Sequence, residues 1–80
     1  MTRYFLHLVD GDDLICDPEG SDLPSIAAAR EQALLSAREL LAEAIKRGAQ
    51  RIPGFVVAVS EGGNEVAVID FRSIMPSTLK

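Results

Sequence analysis

Apolar residues recur at helical spacing from Ile26 to Arg47 and at strand-like spacing on either side of that run. The run is rich in Ala, Leu, Glu, Arg and Lys, all good helix formers. Ser25 stands at its start as the N-cap, although Ala28 occupies the position where a capping box needs Glu or Gln. Gly48 follows its end, in the place where a left-handed residue closes a helix. Before the helix, Arg3 to Val9 and Leu14 to Cys16 read as strands around an Asp10-Gly11-Asp12-Asp13 turn, and Asp17-Pro18-Glu19-Gly20 reads as a second turn. After it, Pro53-Gly54 punctuates the chain. Phe55 to Glu61 and Glu65 to Arg72 then read as two strands around Gly62-Gly63-Asn64, and Pro76 with the Ser-Thr-Leu-Lys end reads as a frayed terminus.

These elements predict an α+β domain in ββαββ order: a four-stranded antiparallel sheet with one long helix packed on one face. Short connections favour the spatial order second, first, third, fourth strand. At 100° per residue, Ile26, Ala33, Leu34, Ala37, Leu40, Leu41, Ala44 and Ile45 share the helix face meant for the sheet, and Leu35 lies on the back. In the sheet, alternation assigns Tyr4, Leu6, Leu8, Ala67, Ile69 and Phe71 to the core. His7 and Asp70 turn their neighbours outward, so the outer face is expected to carry Phe5, Val9, Val56, Ala58, Val66 and Val68. Both side-chain sets are apolar, yet a single helix covers only one of them. The second face is therefore expected to be an interface between two copies of the chain, built on Phe5, His7, Val56, Val66 and Val68. Phe5, Val56 and Val68 belong near its centre, with His7 and Asp70 towards the edge.

Length and composition change this picture little. Eighty residues make one domain, 1–80, and 48% hydrophobic with 25% charged residues is ordinary for a globular chain. The net charge of −4 argues against nucleic acid as a partner, because phosphate neutralisation needs a basic footprint. Lys46, Arg47 and Arg51 do cluster, but at a helix C-terminus, where cations suit the helix dipole. Cys16 is alone, which excludes an internal disulfide and fits a reducing compartment. The apolar start is broken by His7, lacks a small-residue cleavage site, and falls short of the ~20 residues needed to span a bilayer. Together these features predict a cytoplasmic protein with no membrane association.

No motif carries catalysis. His7 is the only histidine, and zinc-type ligand spacing is absent. Asp10, Asp12, Asp13, Asp17, Glu19 and Asp22 are hard oxygen ligands, but they miss the spacing of a calcium loop and read as turn residues. The Gly62-Gly63 pair is too short for a phosphate loop, and the serines occupy no nucleophile elbow. Cys16 has no basic neighbour to lower its pKa and reads as a buried structural thiol. The expectation is a protein that is not an enzyme and holds no cofactor or metal.

The opening Arg3, Tyr4, Phe5, His7, Asp10 and Gly11 forms an Arg-Tyr-Phe-x-His-x-x-Asp-Gly signature, followed by Asp17, Glu19, Gly20, Leu23, Ala28-Ala29-Arg30 and Phe71. In this the chain resembles an uncharacterised family of short alphaproteobacterial proteins that carry a domain of unknown function. That resemblance implies a bacterial cytosolic domain and no established activity. From Tyr4 to Ala44 the chain is also similar to HicB-type antitoxin domains, which set a β-hairpin with an acidic turn before an Ala-rich helix. Their extra strand and DNA-binding segment have no counterpart here. Three readings follow: a self-associating, non-enzymatic interaction or regulatory module; an antitoxin-like domain that neutralises a toxin or assists nucleic-acid regulation; and a small enzyme or ligand binder using the hairpin turns.

Overall fold

The computed structural model describes residues 1–74, so the terminus read as frayed lies outside the described residues. The element order is β1 (Thr2–Asp10), β2 (Asp13–Ile15), β3 (Ser21–Leu23), α1 (Ile26–Lys46), β4 (Phe55–Ser60), β5 (Glu65–Asp70) and α2 (Phe71–Ile74). All pairings are antiparallel, in the order β2-β1-β4-β5, as the short connections require. β3 is an addition to the expected order. It pairs with the same edge of β1 as β2 does, but at the other end.

That arrangement follows from length. β1 has nine residues, while β2 and β3 have three each. β2 pairs with Leu8, Val9 and Asp10, and β3 pairs with Thr2, Arg3 and Tyr4. Among the described residues, the middle of β1 has no strand beside it on that edge.

The helix ends are built as their residues dictate. Ser25 is extended (φ −161°, ψ 167°), and its Oγ accepts from the Ala28 N–H at 3.1 Å. At the other end Gly48 has φ 72°. Its N–H donates to the Ile45 carbonyl and the Ala49 N–H to that of Ala44, a Schellman closure that satisfies two terminal carbonyls.

The helix lies over β4 and β5, on a stripe of Ala29, Ala33, Ala37, Leu41 and Ala44. Beneath it sit Val56, Ala58, Ala67 and Phe71, with Leu6, Leu8 and Ile69 packed at the margin. On α1 the burial is confined to this narrow, mostly alanine stripe. Residues to either side of the stripe then stand clear of the contact. Ile26 (56% exposed), Leu40 (37%) and Ile45 (54%), expected on the packed face, are solvent-facing for this reason.

β5 stops at Asp70, two residues earlier than the apolar run implies. The Asp70 carboxylate accepts from the Arg72 N–H at 2.9 Å and the Ser73 hydroxyl donates to the Asp70 carbonyl at 2.6 Å, which starts the turn α2. Phe71 is fully buried, its N–H bonded to the Gly54 carbonyl.

Candidate functional site

Among the described residues, the sheet has one face under α1 and one face that no element covers. Register fixes which residues share each face, since paired residues project to the same side. Tyr4, Leu6 and Leu8 lie opposite Ser60, Ala58 and Val56, and Ala58 and Val56 in turn lie opposite Ala67 and Ile69. All of these belong to the helix side. The open face therefore carries three rows across the strands. Leu14, Val9, Phe55 and Asp70 form one; His7, Val57 and Val68 the second; Phe5, Val59 and Glu65 the third.

Two expected interface residues are corrected by this register. Val56, placed at the centre of the open face, is only 2% exposed and belongs to the core, as does Ala58. Both side-chain sets of β4 are apolar, so alternation within the strand could not choose between them. Its pairing with β1 chose, and Phe55, Val57 and Val59 face outward instead. Val66 sits at a register shift, where Ala58 pairs with Ala67 but Val59 already pairs with Glu65. Val66 is the extra residue of that bulge and packs against the core cluster. Phe5, His7 and Val68 do lie on the open face, and Val68 and Phe55 are 47% and 40% exposed.

At the edge of this face, the unpaired middle of β1 is closed by a side chain. The Asp17 carboxylate accepts from the Leu6 N–H at 3.2 Å and also from the N–H groups of Glu19 and Gly20. Asp17 thus gives β1 the acceptor that a neighbouring strand would have given. In return, the Asp17 N–H donates to His7 Nδ1 at 3.0 Å. The His7 ring stacks on Phe5, with centroids 6.3 Å apart. Arg3 closes the loop from outside through the Glu19 carbonyl and the Asp22 carboxylate, the latter at 3.4 Å. Gly20, at φ 73°, lies so close that a Cβ there would come within 2.8 Å of the Tyr4 carbonyl oxygen.

Burial pushes the Asp17 carboxyl upward, but the amides of Leu6, Gly20 and Glu19 and the nearby His7 outweigh it, and the net pKa is lowered. The turn Asp17-Pro18-Glu19-Gly20 is legible in sequence, because Asp bonding the amides two and three residues on is an Asx-type pattern. Its reach across to Leu6 is not. Cys16, read as buried, is exposed beside this loop.

On the helix side, a groove of about 780 Å³ runs between α1 and β1, with Leu6, Leu8 and Val56 on its floor and Leu40 on its wall. Asp17, Glu39, Glu43, Lys46 and Arg47 line it as well, a mixture of both signs, and His7 borders it. Among the described residues, no group of three or more His, Cys, Asp or Glu side chains could hold a metal ion. Nor, among the described residues, is any helix long and apolar enough to cross a membrane.

The fold and these surfaces define a two-layer α+β domain with an open apolar sheet face and a clasped strand edge. The chain belongs to the DUF6894 family, a domain of unknown function whose family model matches residues 3–72. That span runs from Arg3, at the outer closure of the clasp, to just past the buried Phe71. No curated protein and no solved structure matches the chain.

Proposed function

We propose that this domain is a non-enzymatic interaction module that pairs with a second copy of itself through the open sheet face. The observation that carries this reading is the three-row surface in which apolar Leu14, Val9, Phe55, Val57, Val68, Phe5 and Val59 surround His7, with the carboxylates Asp70 and Glu65 confined to the edge strand β5. β1, β4 and β5, about 4.8 Å apart and six or more residues long, with the three-residue β2 beside them, give a face of roughly 300 Å² in projection. That is within the largest patches monomers expose, and it suits the apolar centre of a standard interface, which takes about 800 Å² from each partner.

The thinness of the core supports the same reading. Of the ten buried hydrophobic residues among those described, six are alanines (29, 33, 37, 44, 58 and 67), leaving Tyr4, Leu41, Val56 and Phe71 as the large ones. Small domains with modest cores commonly gain stability by association. The sole imidazole has its Nδ1 occupied by a backbone amide, which favours a structural over a catalytic role for His7. Sedimentation velocity at tens of micromolar tests the proposal and is expected to give a dimer mass. A monomer mass would overturn self-association and leave the face to a different protein, as in the antitoxin-like reading.

A further inference from the structure

We propose that His7 is a proton-sensitive latch for the loop of residues 16–20, holding it on the β1 edge while the ring is neutral and releasing it when the ring is protonated. The argument begins with hydrogen-bond direction. The Asp17 N–H can only donate, so the His7 Nδ1 that faces it at 3.0 Å must offer a lone pair. The neutral ring therefore carries its proton on Nε2. Uptake of a solvent proton at Nδ1 sets two N–H donors against each other, and the bond is lost. Imidazole is the side chain whose ordinary charge change lies between about pH 5 and 8, the range the experiment below spans.

The surroundings make the effect specific to the loop. From the loop, the Asp17 carboxylate is the charged group coupled to the ring, and it is already held by the amides of Leu6, Glu19 and Gly20. On β1, Phe5 stacks on the ring, and Arg3, two positions further along the same face, is paired with Asp22. β4 offers only Val57 and β5, one strand beyond, only Val68. From α1, Glu39, Glu43, Lys46 and Arg47 share the groove that His7 borders, two of each sign. An imidazolium that stays in place expels the Asp17 amide, which loosens the loop at that residue and uncovers the middle of β1 as a strand edge. One that turned to the Asp17 carboxylate would keep the loop held, and unchanged or higher protection at the lower pH would report it. Asp17 does not titrate in this range itself, because its pKa is shifted below the ordinary carboxylate value.

Amide hydrogen exchange resolved by NMR tests the latch. Samples at about pH 7.5 and about pH 5.5 are compared at a concentration where sedimentation gives the same mass at both. After correction for intrinsic exchange, the amides of Asp17, Glu19 and Gly20 should open about tenfold more at the lower pH, the fold-change that one net hydrogen bond is worth. In His7→Gln, whose amide oxygen accepts without titrating, protection should be the same at both pH values. A wild-type loop with pH-independent protection, or a His7→Gln protein that keeps the wild-type pH response, overturns the proposal. Long-range proton–nitrogen spectra of the unmutated protein give a second reading that needs no variant. An Nε2–H ring at the higher pH is expected, and an Nδ1–H ring there would sink the idea.

Discussion

At the scale of single residues, two glycines with nearly equal backbone angles have unequal burdens. Gly20 and Gly48 both have positive φ, 73° and 72°. A Cβ at Gly48 meets open space, while one at Gly20 meets the Tyr4 carbonyl oxygen at 2.8 Å and the Phe5 ring at 2.9 Å. Gly48→Ala should therefore cost about 1 kcal/mol, the left-handed penalty alone. Gly20→Ala should cost about 2–3 kcal/mol, since backbone has to move as well. Chemical denaturation of the two variants gives the comparison, and equal losses would mean that the loop yields freely. Asp17 supplies a pH dependence of known sign. Its folded-state pKa is lowered, so its contribution is present above the ordinary carboxylate pKa of about 4 and is lost as pH falls through the folded value. Asp17→Asn should cost about 1–3 kcal/mol near neutrality, and melts should show the gap from wild type closing only below about pH 4.

Among the elements, α1 shows how small residues govern contact. Its buried stripe is four alanines and one leucine, and its larger side chains flank that stripe or lie behind it. Leu41→Ala deletes one of the few large groups at the helix–sheet contact and should cost about 2–5 kcal/mol. Leu35, 47% exposed on the back of the helix, should cost well under 1 kcal/mol when cut to alanine. Urea titrations of the pair check both values, and similar losses would mean that something covers the back of the helix. Helical periodicity located the face correctly to within a turn of the wheel but overstated its width. Hydropathy counts Leu40 and Ile45 as core candidates, whereas the buried stripe of Ala29, Ala33, Ala37, Leu41 and Ala44 is narrower and leaves them outside.

For the whole molecule, the two-layer build leaves a sheet with an uncovered side. The Cα extents of 37 × 24 × 17 Å are thinnest along one axis, as one sheet plus one helix requires. If the open face joins two copies, Val68→Lys places a charge in its middle row and should give a monomer, or precipitate where the partner face is left bare. Leu35→Lys, an equally exposed change on the opposite side of the molecule, should leave the mass unaltered. Light scattering on the two variants separates them, and a Val68→Lys protein that keeps the mass of the wild type would move the contact elsewhere.

The sequence by itself determined β1, β2, α1, β4 and β5 and their order. The Ser25 cap, the alanine- and leucine-rich run and Gly48 bound one helix, and turn residues bound the strands, because these signals act between near neighbours along the chain. Short connections then left few ways to arrange the sheet. Only the tertiary structure decided the faces and the clasp. β4 is apolar on both sides, so its orientation came from pairing Val56 and Ala58 with Leu8 and Leu6, and the bulge at Val66 came from the same pairing one strand further. β3 formed because the nine-residue β1 had room for a second partner on one edge. Asp17 met Leu6 and His7 for the same reason: filling the gap between two short strands is a relation among residues about ten positions apart, which no local pattern of polar and apolar residues encodes.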